Sequence, residues 1–367
     1  PFIFLFIEFF ISNFLYGFPW LSYSLILSNN LLGFYVIKYF GTLTSGFLII
    51  LIYVLPSLFL NYKNINKVNN LIILPYISFL LILIVPFIYI FFNVDSNSKE
   101  LKLDVYQILS PINKTNKKKI EKNIINIIQK SSSDYIFFAE NNYPYLIDGI
   151  NVSNLSKYID NNKKVIIGAT RHKAGKYYNS FLLLEENNVQ YFDKKILVPF
   201  GEFLPFRKYI KFMEAISGNN DFETGNIDRL LITKDNIKIL PIICYEIIFD
   251  KIFKNINKKK IDILINITND SWFGNKIGPY QHFYISRIKS LIANKPLIRV
   301  SNNGISAIIN QNGKIIKSTK LNQISSFSYK LQIYDTHSYY SIHNLFSFYL
   351  IFLFIITLVF NRKKLND

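Results

Sequence analysis

Ile237-Lys238-Ile239-Leu240-Pro241-Ile242-Ile243-Cys244-Tyr245-Glu246 is an apolar run that stops on a cysteine, a tyrosine and a carboxylate. Between Ile237 and Ile243 only Lys238 is charged, which fits a strand buried on both faces. The residues that follow, Ile247–Lys254, carry apolar side chains at helical spacing. The same alternation extends outward in both directions. Upstream, Asn116–Lys130 places Ile120, Ile124, Ile127 and Ile128 on one face of an amphipathic helix. Tyr135–Glu140 and Val165–Thr170 read as strands, and Ser180–Glu185 with Val189–Phe192 flanks Asn187-Asn188 as a hairpin. Downstream come a strand at Ile261–Ile267, a helix at Tyr280–Asn294, strands at Leu297–Ser301 and Ile305–Asn310, and an Asn312-Gly313 turn before Lys314–Lys317. Strands alternating with helices predict a layered α/β fold.

The charges are unevenly placed. The 367 residues carry a net charge of +18, yet residues 1–92 hold only Glu8, Lys38, Lys63 and Lys67 as charged groups. Residues 93–338 hold +14 of the total, and no Asp, Glu, Lys or Arg occurs from Thr336 to Asn361. A bilayer core about 30 Å thick needs roughly 20 apolar residues of helix. Tyr39–Tyr62, Val68–Val94 and Ile342–Phe360 meet that length, and residues 1–16, beginning at Pro1 rather than Met, read as a further span cut short. The expected organisation is transmembrane helices over 1–94, a soluble α/β domain over 95–338, a C-terminal transmembrane helix over 339–361 and a tail over 362–367. Lys63 and Lys67 lie between two spans and Arg362, Lys363 and Lys364 follow the last, so the positive-inside rule puts both on the cytoplasmic side. The soluble domain is then expected on the outer face. There its basicity suits anionic headgroups better than nucleic acid.

A single cysteine excludes a disulfide framework and Cys-rich metal sites. The four histidines show no metal-ligand spacing, and neither a Walker loop nor a Gly-rich dinucleotide motif occurs, so no metal and no cofactor are expected. Gly304-Ile305-Ser306-Ala307-Ile308 lacks the closing glycine of a serine-hydrolase elbow. What remains is Cys244, where a strand turns into a helix and backbone N–H groups or a nearby cation lower a thiol's pKa. Glu140 ends the run Tyr135-Ile136-Phe137-Phe138-Ala139, whose apolar neighbours would raise a carboxyl into the range of a general base. Lys194 ends another run, before Ile196-Leu197-Val198-Pro199-Phe200-Gly201-Glu202, and could stabilise a thiolate and an oxyanion. In a layered α/β fold all three can meet at one sheet edge.

Glu140, Lys194 and Cys244, in that order on three strand ends, resemble the nitrilase (carbon–nitrogen hydrolase) superfamily. The resemblance implies an α-β-β-α sandwich and a Glu base, a Lys and a Cys nucleophile. Leu197-Val198-Pro199-Phe200-Gly201-Glu202-Phe203-Leu204-Pro205 looks like the hallmark of the apolipoprotein N-acyltransferase branch, which carries its nitrilase domain between membrane helices. Asn266-Ile267-Thr268-Asn269-Asp270-Ser271-Trp272-Phe273-Gly274 is similar to that branch, as are Pro279-Tyr280-Gln281-His282, the run Arg299–Ser306, and Gly17-Phe18-Pro19-Trp20 in the membrane region. Four positions depart from the pattern: Ala139 stands where the family has Pro, Phe138 where Trp is common, and Lys195-Ile196 where Arg-His is usual. The branch has about eight membrane helices against the four counted here, which implies that the first helices precede Pro1.

The resemblance implies ping-pong acyl transfer at a bacterial inner membrane, with the catalytic domain on the periplasmic side. Glu140 would take the Cys244 proton, and the thiolate would attack an ester of a phospholipid acyl donor. Lys194 and the Tyr245 N–H would hold the oxyanion. The amine of a diacylated lipoprotein acceptor would then receive the acyl chain from the thioester. Glu202 and Glu246 would orient Lys194 and the amine. Trp272 and the stretch from Phe203 to Met213 would face the membrane. A monomer is expected, and nucleic acid is not expected as a partner. The competing enzyme reading is a membrane-tethered amidase or nitrilase-type hydrolase.

Overall fold

The computed structural model describes residues 2–20, 22–29, 31–60, 98–109, 116–148, 153–160, 162–209 and 220–338, with 340, 343, 349 and 352. Two compact units are present, one built mainly from the N- and C-terminal residues and one spanning 96–290 with 295–336.

The second unit is a two-sheet sandwich. Its first sheet contains β1 (Ser98–Gln107), β2 (Tyr135–Phe137), β3 (Ile147–Asp148), β4 (Lys164–Lys173), β5 (Lys176–Glu185), β6 (Asn188–Asp193) and β13 (Ser325–Tyr334), in the order β13-β1-β2-β4-β5-β6, with β3 pairing β4. The second contains β7 (Leu231–Ile232), β8 (Lys238–Ile243), β9 (Ile263–Thr268), β10 (Leu297–Ser301), β11 (Ala307–Ile309) and β12 (Ile315–Ser318), ordered β12-β11-β10-β9-β8-β7. The sheets meet face to face, β5 against β8 and β1 against β10. In both sheets the central strands run parallel, β1-β2-β4 and β8-β9-β10. Such strands must be covered on both faces, which explains why each reads as a continuous apolar run.

Side-chain alternation divides the first sheet's residues between its faces. Ile136, Val165, Ile167, Leu182 and Leu184 share a core with Ile124 and Ile128 of the amphipathic helix Lys117–Lys130. The intervening Phe137, Ile166, Phe181 and Leu183 are equally enclosed. Each such side chain contributes about 1.5–3 kcal/mol by leaving water. The helix starts where Asn116 caps the Lys119 N–H, and ends before Ser131, whose backbone is extended. On the second sheet the outer layer is the helix Ile277–Ala293, whose Ser286 and Ser290 bond to groups of β10 and the β11 end. The α-β-β-α layering is thus observed. The hairpins are also present: β5 and β6 pair antiparallel around Asn187, and β11 and β12 around Gly313.

Two local expectations differ from the structure. The helical spacing at Ile247–Lys254 folds as two short 3₁₀ turns, Cys244–Ile248 and Asp250–Phe253. The strand expected at Ile305–Asn310 is ordered only at Ala307–Ile309, because the Ser306 N–H bonds the Thr319 hydroxyl instead of a neighbouring strand.

In the other unit, Phe2–Asn13 forms a 12-residue helix and Leu31–Leu60 a 30-residue helix kinked at Gly41. Leu5 packs there against Phe47, Leu48 and Leu51. Among the described residues one stretch, Leu32–Val54, is helical, apolar and long enough to cross a membrane. The spans expected at Val68–Val94 and over nearly all of Ile342–Phe360 lie outside the described residues.

Gly168, within β4, has a structural reason tied to the site. A Cβ there would lie 2.5 Å from the Glu140 Cα and 2.5 Å from the Asn141 nitrogen. Gly168→Ala is expected to destabilise the domain by about 1–3 kcal/mol through overpacking. Denaturant unfolding checks this.

Candidate active site

Glu140 lies just beyond the end of β2. Phe138 N–H still bonds Ile166 of β4, after which the chain turns away and Gly168 N–H bonds the Ala139 carbonyl. The Asn142 side chain accepts from the Ala139 N–H at 2.8 Å, a bond a proline could not make. The departure at Ala139 therefore carries its own anchor. Lys194 follows β6 directly, its N–H held by the Asn179 carbonyl at 2.8 Å. Cys244 follows β8 with φ of 51°, a left-handed conformation unusual for a residue with a side chain. All three side chains are buried.

They act on one another directly. Glu140 Oε1 accepts from Asn179 Nδ2 at 2.7 Å, while the buried Oε2 has no nitrogen or oxygen donor among the described residues. Burial raises the Glu140 pKa above the ordinary carboxylate range; Lys194 opposes this, Glu202 adds to it, and a hydrogen bond with the Cys244 thiol moderates it. Burial also pushes the Cys244 thiol up, as does Glu140, against the pull of Lys194 and a Thr268 hydrogen bond. The lowered thiol pKa expected at a helix start is not found, because the turn after Cys244 is only five residues of 3₁₀ helix and desolvation outweighs it. Thiolate must therefore form by proton transfer rather than exist at rest. Burial by itself would lower the Lys194 pKa, but Glu202, Cys244 and Glu140 raise it, so the ammonium stays charged.

Glu202 is the partner of that ammonium, 2.8 Å from Lys194 Nζ. Its other contacts are the Val198 N–H and Asn179 Nδ2, both at 2.8 Å. Asn179 thus bridges Glu140 and Glu202. Sequence reasoning missed it, because it precedes the apolar part of β5 and has no local signature.

Glu246 sits differently from expectation. It is fully enclosed and held by Arg229 (Nη2 to Oε1 2.6 Å, Nη1 to Oε2 2.8 Å), by the Lys195 and Ile196 N–H groups and by the Ile243 N–H. It ties the loop after Lys194 to the turn bearing Cys244 and makes no hydrogen bond to Lys194. Those N–H bonds are backbone bonds, so the unusual Lys195-Ile196 pair keeps the anchor. Burial would raise the Glu246 pKa, but the Arg229 guanidinium brings it below the ordinary value. Tyr245 is buried with its ring edge-on to Phe249 at 5.0 Å, and burial raises its phenol pKa to about 12. Trp272, 64% exposed, closes a short 3₁₀ turn and does not join the buried cluster. Phe206 and Tyr209 are exposed as well, Arg207 Nε bonds Asp221 at 3.0 Å, and residues 210–219 lie outside the described set.

These pKa shifts set a pH dependence. A base must be ionised to act, so thioester formation should rise with pH around a midpoint above about 4.3, the ordinary Glu value. Glu140→Gln should abolish that limb. Stability responds with two signs. The raised Glu140 favours the fold at low pH, and its contribution is lost as pH rises through its folded pKa. The lowered Glu246 contributes fully above its unfolded value, and that contribution is lost as pH falls through its folded value. Urea midpoints should therefore fall on both sides of a mildly acidic maximum, with the upper limb flattened in Glu140→Gln.

A carbon–nitrogen hydrolase family profile matches residues 110–333, more than half of the chain. The chain belongs to the carbon–nitrogen hydrolase family. Curated relatives are named apolipoprotein N-acyltransferase. That of Rickettsia typhi is 45% identical over 150 residues, covering 40% of this chain and 30% of the relative. That of Brucella suis is 33% identical over 209 residues, covering 53% and 39%. The chain thus spans between 30% and 39% of the length of these relatives. Among solved structures, Saccharomyces cerevisiae Nit3, a member of branch 10 of the nitrilase superfamily, matches with a TM-score of 0.50 and 16% identity, over 69% of this chain and 97% of Nit3. That likeness shows the family's sandwich fold.

Proposed function

We propose that the chain is a membrane-bound acyltransferase that moves an acyl chain from a phospholipid to the N-terminal amine of a diacylglyceryl-cysteine lipoprotein, through a thioester on Cys244. The observation that carries the chemistry is the burial of Glu140, Lys194 and Cys244 together at the ends of three strands, where each shifts the ionisation of the others. The name shared by the curated relatives supports the substrate class.

Glu140 Oε2 takes the thiol proton as sulfur attacks the donor ester carbonyl. Lys194 Nζ and the Tyr245 N–H stabilise the oxyanion, and the lysophospholipid leaves with the proton from Glu140. The acceptor amine then attacks the thioester, gives its proton to Glu140, and the thiol is released. Glu202 keeps Lys194 charged and fixed. Glu246, with Arg229, keeps the lysine loop and the cysteine turn in register. The exposed Trp272, Phe206 and Tyr209 suit contact with acyl chains at a bilayer surface.

The proposed setting is a bacterial inner membrane. Residues 1–94 and 339–361 are the spanning regions, 95–338 is the catalytic domain on the periplasmic side, and 362–367 is a cytoplasmic tail. The enzyme works as a monomer without metal or cofactor. The test supplies phospholipid labelled in its acyl chain together with a peptide bearing an S-diacylglyceryl N-terminal cysteine. Label in an amide on the peptide supports acyl transfer. Label released only as free fatty acid indicates the hydrolase instead.

A further inference from the structure

Two sequence runs take no direct part in the mechanism above apart from Trp272, Asn266–Gly274 and the pair His282 and Arg299. Asn266, Thr268 and Asp270 of the first meet the second in one fully buried polar cluster behind Cys244. Asn266 stands in the middle of β9, directly between Ile242 of β8 and Arg299 of β10 in the sheet register. Its Nδ2 donates to the carbonyls of Cys244 (3.2 Å) and Ile242 (3.3 Å). Its Oδ1 accepts from Arg299 Nη1 at 2.6 Å, which fixes which way the amide points. Arg299 in turn donates to the Ser286 hydroxyl, the Ile305 carbonyl and both oxygens of Asp270. Asp270 accepts from Thr268 (3.1 Å) and lies 2.9 Å from His282 Nδ1, which is also 3.1 Å from Arg299 Nη2. Gly304 leaves room for the carboxylate: a Cβ there would lie 1.8 Å from Asp270 Oδ2.

The cluster explains how Cys244 keeps a left-handed backbone. A side-chain-bearing residue at φ of 51° costs about 1–3 kcal/mol and persists only where its surroundings over-determine it. We propose that Asn266, oriented by Arg299 with Asp270 and His282 behind it, is a positioning residue that holds the Cys244 carbonyl and so aims the thiol at Glu140. The proposal rests on the reading of Cys244 as the nucleophile and adds what holds it in place. Without the Asn266 amide the turn relaxes and sulfur leaves its alignment.

Asn266→Asp, made in the full-length chain, tests this. It keeps the volume and the acceptor for Arg299 while setting an oxygen against the Cys244 carbonyl. Single-turnover thioester formation at saturating phospholipid is expected to fall about 100-fold, the scale of a 1 Å misplacement, with the half-saturating phospholipid concentration unchanged. Iodoacetamide alkylation of Cys244, which needs no lipid, is expected to slow about tenfold at neutral pH and to shift its profile to higher pH as the thiol loses its base. Wild-type rates in both assays, or a weakened phospholipid response with an unchanged maximal rate, would overturn the proposal. If Asn266→Asp does not accumulate folded, Arg299→Lys decides. Lysine keeps charge beside Asp270 but cannot also hold Asn266, so the same rate split supports the role and wild-type rates refute it. A wild-type chain that forms no thioester sinks acyl transfer alone, because the alkylation comparison still tests positioning.

Discussion

Glu140→Gln is expected to slow thioester formation by about 10²–10⁴-fold, the usual contribution of a positioned general base. The same change should raise the protein's resistance to urea at neutral pH. The two effects have one cause. Glu140 is enclosed, its pKa is raised by burial, and its Oε2 has no nitrogen or oxygen donor among the described residues. An ionised carboxylate in that place costs more to bury than a neutral amide of the same shape. The fold therefore sacrifices stability at the group that must accept a proton. Rapid-quench kinetics and urea midpoints on the same preparation check both halves. A variant that loses activity and stability together would show that Glu140 is mainly structural.

Arg229→Met should have the largest effect on stability. Glu246 is completely buried, and Arg229 gives it two hydrogen bonds, at 2.6 and 2.8 Å. Removing one member of such a pair leaves an uncompensated charge and costs about 3–5 kcal/mol. The loss also reaches the chemistry, since Glu246 holds the Lys195 and Ile196 N–H groups and hence the loop carrying Lys194. Adding Glu246→Gln to Arg229→Met should recover a substantial part of the stability, because the amide needs no counter-charge. A double-mutant cycle with additive losses would mean that the two residues act independently.

The parts of the fold legible in the sequence were those written in apolar runs. β4, β8, β9 and β10 are buried on both sides, so their side chains announce them without help from distant segments. β1 and β13 were not legible. Each is ten residues long, and they pair antiparallel from Ser98 with Tyr334 to Gln107 with Ser325. β1 carries Lys99, Glu100, Lys102 and Asp104 in its first seven residues, and β13 shows mainly polar or exposed positions, so only the long-range pairing reveals them. The site follows the same rule. Glu140, Lys194 and Cys244 were visible because each stands where an apolar run stops. Asn179, Arg229 and the contact of Asn266 with Arg299 were not, because a hydrogen-bond partner 17 to 39 residues away leaves no local mark. The thiol's environment was misjudged for a related reason: burial depends on what the second sheet and its neighbours cover, and it outweighs the pull of a nearby lysine.

The account turns on whether sulfur carries the acyl chain. The full-length chain should be mixed with phospholipid vesicles in the absence of any acceptor, quenched in acid and analysed by mass spectrometry of the peptide containing Cys244. The expected result is that peptide heavier by one fatty acyl group, with the added mass removed by neutral hydroxylamine as a thioester requires. An unmodified Cys244 peptide from wild-type protein that still transfers acyl chains, or the acyl group on any other residue, would contradict it.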